Sequence, residues 1–289
     1  MGSESSKEAQ LKAKIDSINV KYPVSLNFPG FWDDEAAFWE QQKLVVQIMS
    51  CVLAATKMFV KKDPGLSFAL TMTMKLFNTA IGSIKKAVLM LKINELIAKN
   101  AHSFVEAKME VVKKELESAQ NETDMRSKEN KLYAASNICY ELLILFNKED
   151  FYLLKYPLVF APFFVSFVSI YLVVLMAHYL ISKSSERRPD ATKVLELLKT
   201  VIKRYQRETA EARKKCVKSE RRITGKYHSD RIYIKDDFTK QDLYSTYTFS
   251  FSNDFYEEIL EWYRKKVGDI YSSYFNESLE KVDDVLKSL

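Results

Sequence analysis

Glycine and proline are scarce, with six of each in 289 residues. So few breakers exclude a β-sandwich or barrel, which needs many tight turns, and leave long helices joined by short loops. Histidine is scarcer still: His102, His178 and His228 stand isolated. No GxSxG, HExxH, GxxxxGK[ST] or GxGxxG string occurs. A catalytic centre needs an acid, base, nucleophile or metal held together, so the expectation is a protein that is not an enzyme and takes no metal or cofactor. The three cysteines, Cys51, Cys139 and Cys216, are odd in number and lack CxxC spacing. On apolar helical faces they read as buried free thiols. The opening MGSESSKEAQ lacks the apolar run of a secretory signal. It fits the myristoylation pattern at Gly2, with Ser6 in place, although Met-Gly-Ser is more often the remnant of an expression leader.

Charge is missing from one long stretch. Tyr156 to Ser182, YPLVFAPFFVSFVSIYLVVLMAHYLIS, holds no Asp, Glu, Lys or Arg across 27 residues, in a chain that is 28% charged. As a helix it rises about 40 Å, more than the roughly 30 Å hydrocarbon layer of a bilayer. A helix apolar on every side is enclosed by protein or by lipid. Pro157 or Pro162, each acceptable near a first turn and not deep inside a helix, marks where it starts.

The flanks show what encloses it. Residues 7–20 read as a short amphipathic helix, and 21–31 hold two prolines and a glycine. Asp33 or Asp34 caps a helix running to about Lys62. Asp63-Pro64-Gly65 then starts another that runs to about Gln120. Its buried stripe includes Phe77, Ile81, Ile84, Val88 and Leu91, and Val105, Met109 and Val112 further on. Glu95 and His102 interrupt the stripe and read as a satisfied polar pair. The next helix ends near Phe146, with Leu132, Ala135, Cys139, Leu142, Leu143 and Phe146 inward. Asn147-Lys-Glu-Asp is so short a connection that this helix and the uncharged one should form an antiparallel hairpin.

After the hairpin, Asp190 caps a basic helix with a seam of Val194, Leu198, Val201, Tyr205, Ala212 and Cys216. From Glu186 to Arg222 thirteen Lys or Arg face six Asp or Glu, a net of +7 that accounts for the whole chain's +6. Residues 226–253 are rich in Tyr, Phe, Thr and Ile with partial alternation, which suggests one or two short strands or an extended segment. Helix returns over 254–289, with Ile259, Trp262, Val267, Ile270, Tyr274, Leu279, Val282 and Leu286 inward. The expected fold class is all-α: a seven-helix-type bundle around a central hydrophobic helix at about 157–182, with a short extended or β excursion before the last helix. The expected organisation is one domain, comprising a 1–225 bundle, a 226–253 aromatic segment and a 254–289 helix packed on the bundle.

Three stretches carry a family likeness. Leu91-Lys-Ile-Asn-Glu-Leu-Ile97 with Ala101, Tyr156-Pro-Leu-Val-Phe-Ala161, and Val201-Ile-Lys-Arg-Tyr205 with Cys216 and Val217 occur in that order. They resemble parts of the third, fifth and sixth helices of the N-terminal helical domain of the Cry delta-endotoxins, bacterial pore-forming toxins. The likeness covers about residues 38–225. Three departures stand out. The family's fifth helix carries amide and histidine groups near its middle where this one has Ser166 and Ser169. The 226–253 segment has no counterpart there, and these 289 residues hold no match to the family's receptor-binding β-domains.

The resemblance implies a protein that is soluble when made and acts at a target membrane. There the bundle opens and a hairpin of about 124–146 and 157–182 inserts. The membrane-inserting residues would be Leu142, Leu143 and Phe146 on the first arm, and Pro157, Phe160, Phe163, Phe164, Phe167, Ile170, Leu172, Val173 and Leu175 on the second. Lys183, Arg187 and Arg188 would meet the lipid surface. The implied partners are a lipid bilayer, preferably anionic, and further copies of the chain within it. Nucleic acid is not expected, because Glu196, Glu208 and Glu211 break up the basic helix. Two other readings compete. One is a soluble helical binding or structural protein that keeps a toxin-like fold. The other is a single-span membrane protein in which Lys183, Arg187 and Arg188 mark the cytoplasmic side.

Overall fold

The computed structural model describes residues 95–149, 151–182, 186–224, 229–238, 241–247 and 253–289. The helices expected before Glu95, Gly2, Cys51 and Lys183 lie outside them. The described residues are mostly helical, with one short three-stranded antiparallel sheet. They divide into two compact units: 95–209 with Tyr271–Leu289, and Ala210–Ile270.

In the first unit, α1 (Glu95–Asn121) lies along α2 (Met125–Asn147). Val105, Met109, Val112, Leu116 and Ala119 are buried on α1 at spacings of four, three, four and three, the repeat of one helical face. Leu132, Ala135, Cys139, Leu142, Leu143 and Phe146 answer them from α2. Ion pairs fix the rims of this pairing, Lys108 to Glu141 at 2.8 Å and Lys131 to Glu115 at 3.4 Å. Helix α2 begins where the sequence changes from acceptor to apolar. The Asp124 carboxylate accepts from the Ser127 amide at 2.7 Å, satisfying one of the donors a helix leaves open at its start.

A four-residue turn of helix, α3 (Tyr152–Lys155), leads into α4 (Pro157–Ile181). Pro157 occupies the first turn, where its missing N–H costs nothing. Every described side chain from Phe163 to His178 is buried. Helix α5 (Ala191–Lys215) follows, and the Asp190 carboxylate accepts from the Lys193 amide at 3.1 Å, the expected cap. Its buried residues are Ala191, Leu195, Leu198, Val201, Ile202, Tyr205, Thr209, Ala210 and Arg213. Val194 and Ala212 of the expected seam are only half-buried, because the inward stripe is centred one residue further along.

The Ala210–Ile270 unit holds the sheet, β1 (Val217–Thr224), β2 (Ser229–Asp236) and β3 (Gln241–Tyr247), an antiparallel meander in sequence order. The excursion therefore starts nine residues before the expected Lys226 and has three strands. Helix ends at Lys215, and β1 pairs with β2 along its whole length, from Val217↔Asp236 to Thr224↔Ser229. Cys216 sits at this turn and is half-buried, not sealed in a core; its thiol bonds the Ala212 carbonyl at 3.3 Å. Ile232, Ile234 and Leu243 of the sheet are buried, as are Tyr256, Ile259, Leu260, Tyr263 and Val267 of α6 (Asn253–Ser273). The Tyr263 phenol donates to the Leu243 carbonyl at 3.1 Å.

This unit also buries a full ion pair. Two guanidinium nitrogens of Arg213 meet the two carboxylate oxygens of Asp236 at 2.8 and 2.5 Å, both side chains fully buried. Asp236 also accepts from the Phe238 amide at 3.0 Å, and the Phe238 ring lies 4.8 Å from the guanidinium carbon. A two-pronged pair with further bonds meets the condition for a buried charge to persist.

The last segment is two helices, not the one expected over 254–289. Tyr274 and Phe275 separate α6 from α7 (Asn276–Ser288). Breaking the helix there buries Phe275 against Phe164 and Tyr205, with ring centres 6.3 and 6.2 Å away. Ile259, Val267 and Val282 are buried as expected, but the inward set also takes in Tyr271, Phe275, Ser278 and Val285, leaving Trp262, Ile270, Tyr274, Leu279 and Leu286 half-buried.

Candidate functional site

The described residues assigned to membrane insertion are buried on α2 and α4, two helices that pack on each other. Leu142, Leu143 and Phe146 on α2 are buried, and so are Pro157, Phe160, Phe163, Phe164, Phe167, Ile170, Leu172, Val173 and Leu175 on α4. Phe146 organises the contact. Its ring meets Phe163 at 5.9 Å, Phe164 at 4.7 Å, Phe167 at 5.3 Å and Tyr205 of α5 at 5.6 Å. Phe164 in turn stacks on Tyr205 at 4.3 Å. Offset and edge-on rings of this kind add about 0.5–1.5 kcal/mol per pair beyond their buried area.

Polar groups in this core are tied off locally. The Ser169 hydroxyl returns to the Val165 carbonyl at 3.3 Å, and the Tyr205 phenol donates to the Leu153 carbonyl at 2.5 Å. Burial pushes the Tyr205 phenol well above its ordinary range, so it remains a donor. Among the described residues α4 is one helix long and apolar enough to cross a membrane, over Phe163–Ile181. Length and composition alone are also met by the core helix of a soluble protein.

The outer face of α2 is mixed, with Met125 and Ile144 exposed among polar groups. Tyr133, Asn137, Tyr140 and Glu141 are exposed, and Lys131 is half-exposed. Of the residues assigned to the lipid surface, Arg187 and Arg188 are exposed and Lys183 lies outside the described residues. Arg187 stands over the Tyr133 ring and donates to the Asn130 side chain, while Arg188 lies 4.0 Å over the Tyr179 ring.

At this end of α4 the structure assembles a cleft that sequence reasoning did not find. Its volume is about 360 Å³, and its lining includes Tyr133, Tyr140, Tyr171, His178, Arg187 and Arg188. His178 is 2% exposed, edge-on to Tyr133 at 5.7 Å, and neither ring nitrogen has a hydrogen-bond partner among the described residues. One turn on, the Ser182 hydroxyl is likewise buried without a partner. The sequence signal was an imidazole in an otherwise uncharged helix. What it faces depends on residues 45 positions earlier and nine positions later. The Glu95 and His102 side chains lie outside those described. Among the described residues no cluster of His, Cys, Asp and Glu is arranged to hold a metal ion.

No known protein family matches this chain, and no curated protein or solved structure does either.

Proposed function

We propose that the chain is a pore-forming protein of the delta-endotoxin kind, which inserts the α2–α4 hairpin into a target membrane. The observation that supports the reading is α4 itself: a 25-residue helix without a charge, enclosed by the apolar faces of its neighbours. In water those faces cover it. In a bilayer, lipid chains take their place, so the hydrophobic contribution is roughly conserved between the two states. Once α4 turns to lipid, the exposed polar groups of α2, Asn130, Asn137 and Glu141 among them, can border water in an assembly of several copies. Arg187 and Arg188, exposed beside the C-terminal end of α4, suit an anionic surface at about 1 kcal/mol each.

The test is release of an entrapped dye from anionic and neutral vesicles across a pH series. Wild-type protein should release dye, more from anionic vesicles. Ser169→Asp places a carboxylate at the midpoint of α4 and should abolish release while the far-ultraviolet spectrum still reports a folded chain. A second reading draws on the same enclosure, since 82% of the most apolar window of α4 is buried. In that reading α4 never leaves the core and the chain is a soluble binding or structural protein. Monomeric, detergent-free protein that releases no dye under any condition selects it.

A further inference from the structure

The cleft at the C-terminal end of α4 is not needed to explain insertion, yet its floor is chemically unfinished. A neutral imidazole has one N–H to give and one lone pair to share, and a buried group that does neither costs free energy. His178 does neither among the described residues, and it is one of the groups lining the cleft. The α2 side of the cleft adds the hydroxyls of Tyr133, Ser136 and Tyr140 and the Asn137 amide; Arg187 and Arg188 bring two guanidinium groups to the lining. Guanidinium matches phosphate oxygens in paired, planar geometry, and about 360 Å³ lies within the size range of small-ligand sites.

We propose that this cleft is a phosphate-ester site, in which the His178 N–H and the Arg187 and Arg188 guanidiniums take the phosphate oxygens and the tyrosine face of α2 packs the organic part. Of the two carboxylates present, Asp190 is committed to the Lys193 amide at 3.1 Å, and Glu186 is exposed. The two guanidiniums and the imidazole N–H are the donors on this lining that suit the oxygens of an anion. The phosphate belongs either to a lipid headgroup or to a soluble ester. The first deepens the pore-forming reading, because it would couple membrane recognition to the end of the helix that inserts.

The experiment uses the full chain with ¹⁵N-labelled histidine and no membrane. Glycerol 3-phosphate at millimolar concentration should shift the His178 ring resonances. The double variant Arg187→Gln, Arg188→Gln should weaken that binding about tenfold or more, the scale of a lost charge-assisted contact. Lys193→Gln, exposed on α5 and outside the cleft, should leave it unchanged. Stationary His178 resonances, or equal weakening by Lys193→Gln, would overturn the site. In a second arm, phosphatidic acid vesicles that compete with glycerol 3-phosphate, where phosphatidylcholine vesicles do not, identify a headgroup as the source. Binding without such competition identifies a soluble ester. Because the first arm contains no membrane, loss of the site and loss of the pore-forming reading are separate results.

Discussion

Helix α4 carries no charge over 25 residues, whereas the Ala210–Ile270 unit buries a complete ion pair, Arg213 with Asp236. Both interiors exclude water, but they differ in what can replace the surroundings. Hydrocarbon and aromatic rings are stabilised by any apolar medium, protein or lipid, because the effect is non-directional. A guanidinium and a carboxylate out of water are held only by each other and by the bonds around them, so their surroundings cannot be exchanged. The comparison teaches which kind of interior tolerates a change of surroundings: an apolar one does on physical grounds, and one built on a buried ion pair does not.

The sharpest way to break the comparison is to unpair the charges. Asp236→Ala leaves Arg213 buried without its carboxylate and should cost about 3–5 kcal/mol of the stability of the 210–270 unit. The double variant Arg213→Met, Asp236→Leu removes both charges and should be neutral to stabilising by comparison. Chemical denaturation of the two variants checks both statements, and equal losses would refute the account of the pair.

A smaller effect is expected in the apolar unit. Tyr205→Phe keeps the ring against Phe146 and Phe164 but leaves the buried Leu153 carbonyl without its donor. The expected cost is about 1–3 kcal/mol, measured by the same denaturation. A negligible change would mean that ring packing alone holds α5 on α4.

The smallest effect lies at the surface. Lys199 on α5 reaches Asp283 on α7 at 2.5 Å, and this hydrogen bond holds the Asp283 carboxyl below its ordinary 3.8. A depressed carboxyl contributes stability above that ordinary value and loses it as pH falls through the lower, folded one. The stability gap between wild type and Asp283→Asn should therefore be slight at neutral pH and close in the acid range below 3.8. A gap that persists there would show that the substitution acts through packing.

Much of the apolar unit was legible because its signals are local. The inward register of α2 from Leu132 to Phe146 follows from helical period, the start of α4 from Pro157, and the start of α5 from the Asp190 cap. Strand β1 was not legible. Val217–Thr224, VKSERRIT, reads as the continuation of a basic helix. It becomes strand because all eight residues find partners on β2. The break at Tyr274 and Phe275 has no glycine or proline to announce it. It exists because Phe275 is worth more among Phe164 and Tyr205 than in an unbroken helix. The hairpin surface was legible in the same local terms, whereas the cleft at His178 was not. Its walls come from α2, α4, α5 and the segment before α5, and no spacing within one of them reveals the others.

By itself the sequence determined that this protein is largely helical and that one uncharged helix must be enclosed, since periodicity and the absence of charge act through neighbouring residues along the chain. Only the tertiary structure decided that Arg213 meets Asp236, that β1 leaves the helix, and that His178 borders a cleft with arginines beside it. Those outcomes depend on desolvation and pairing between groups far apart in sequence, which take effect only when folding brings them within a few ångströms.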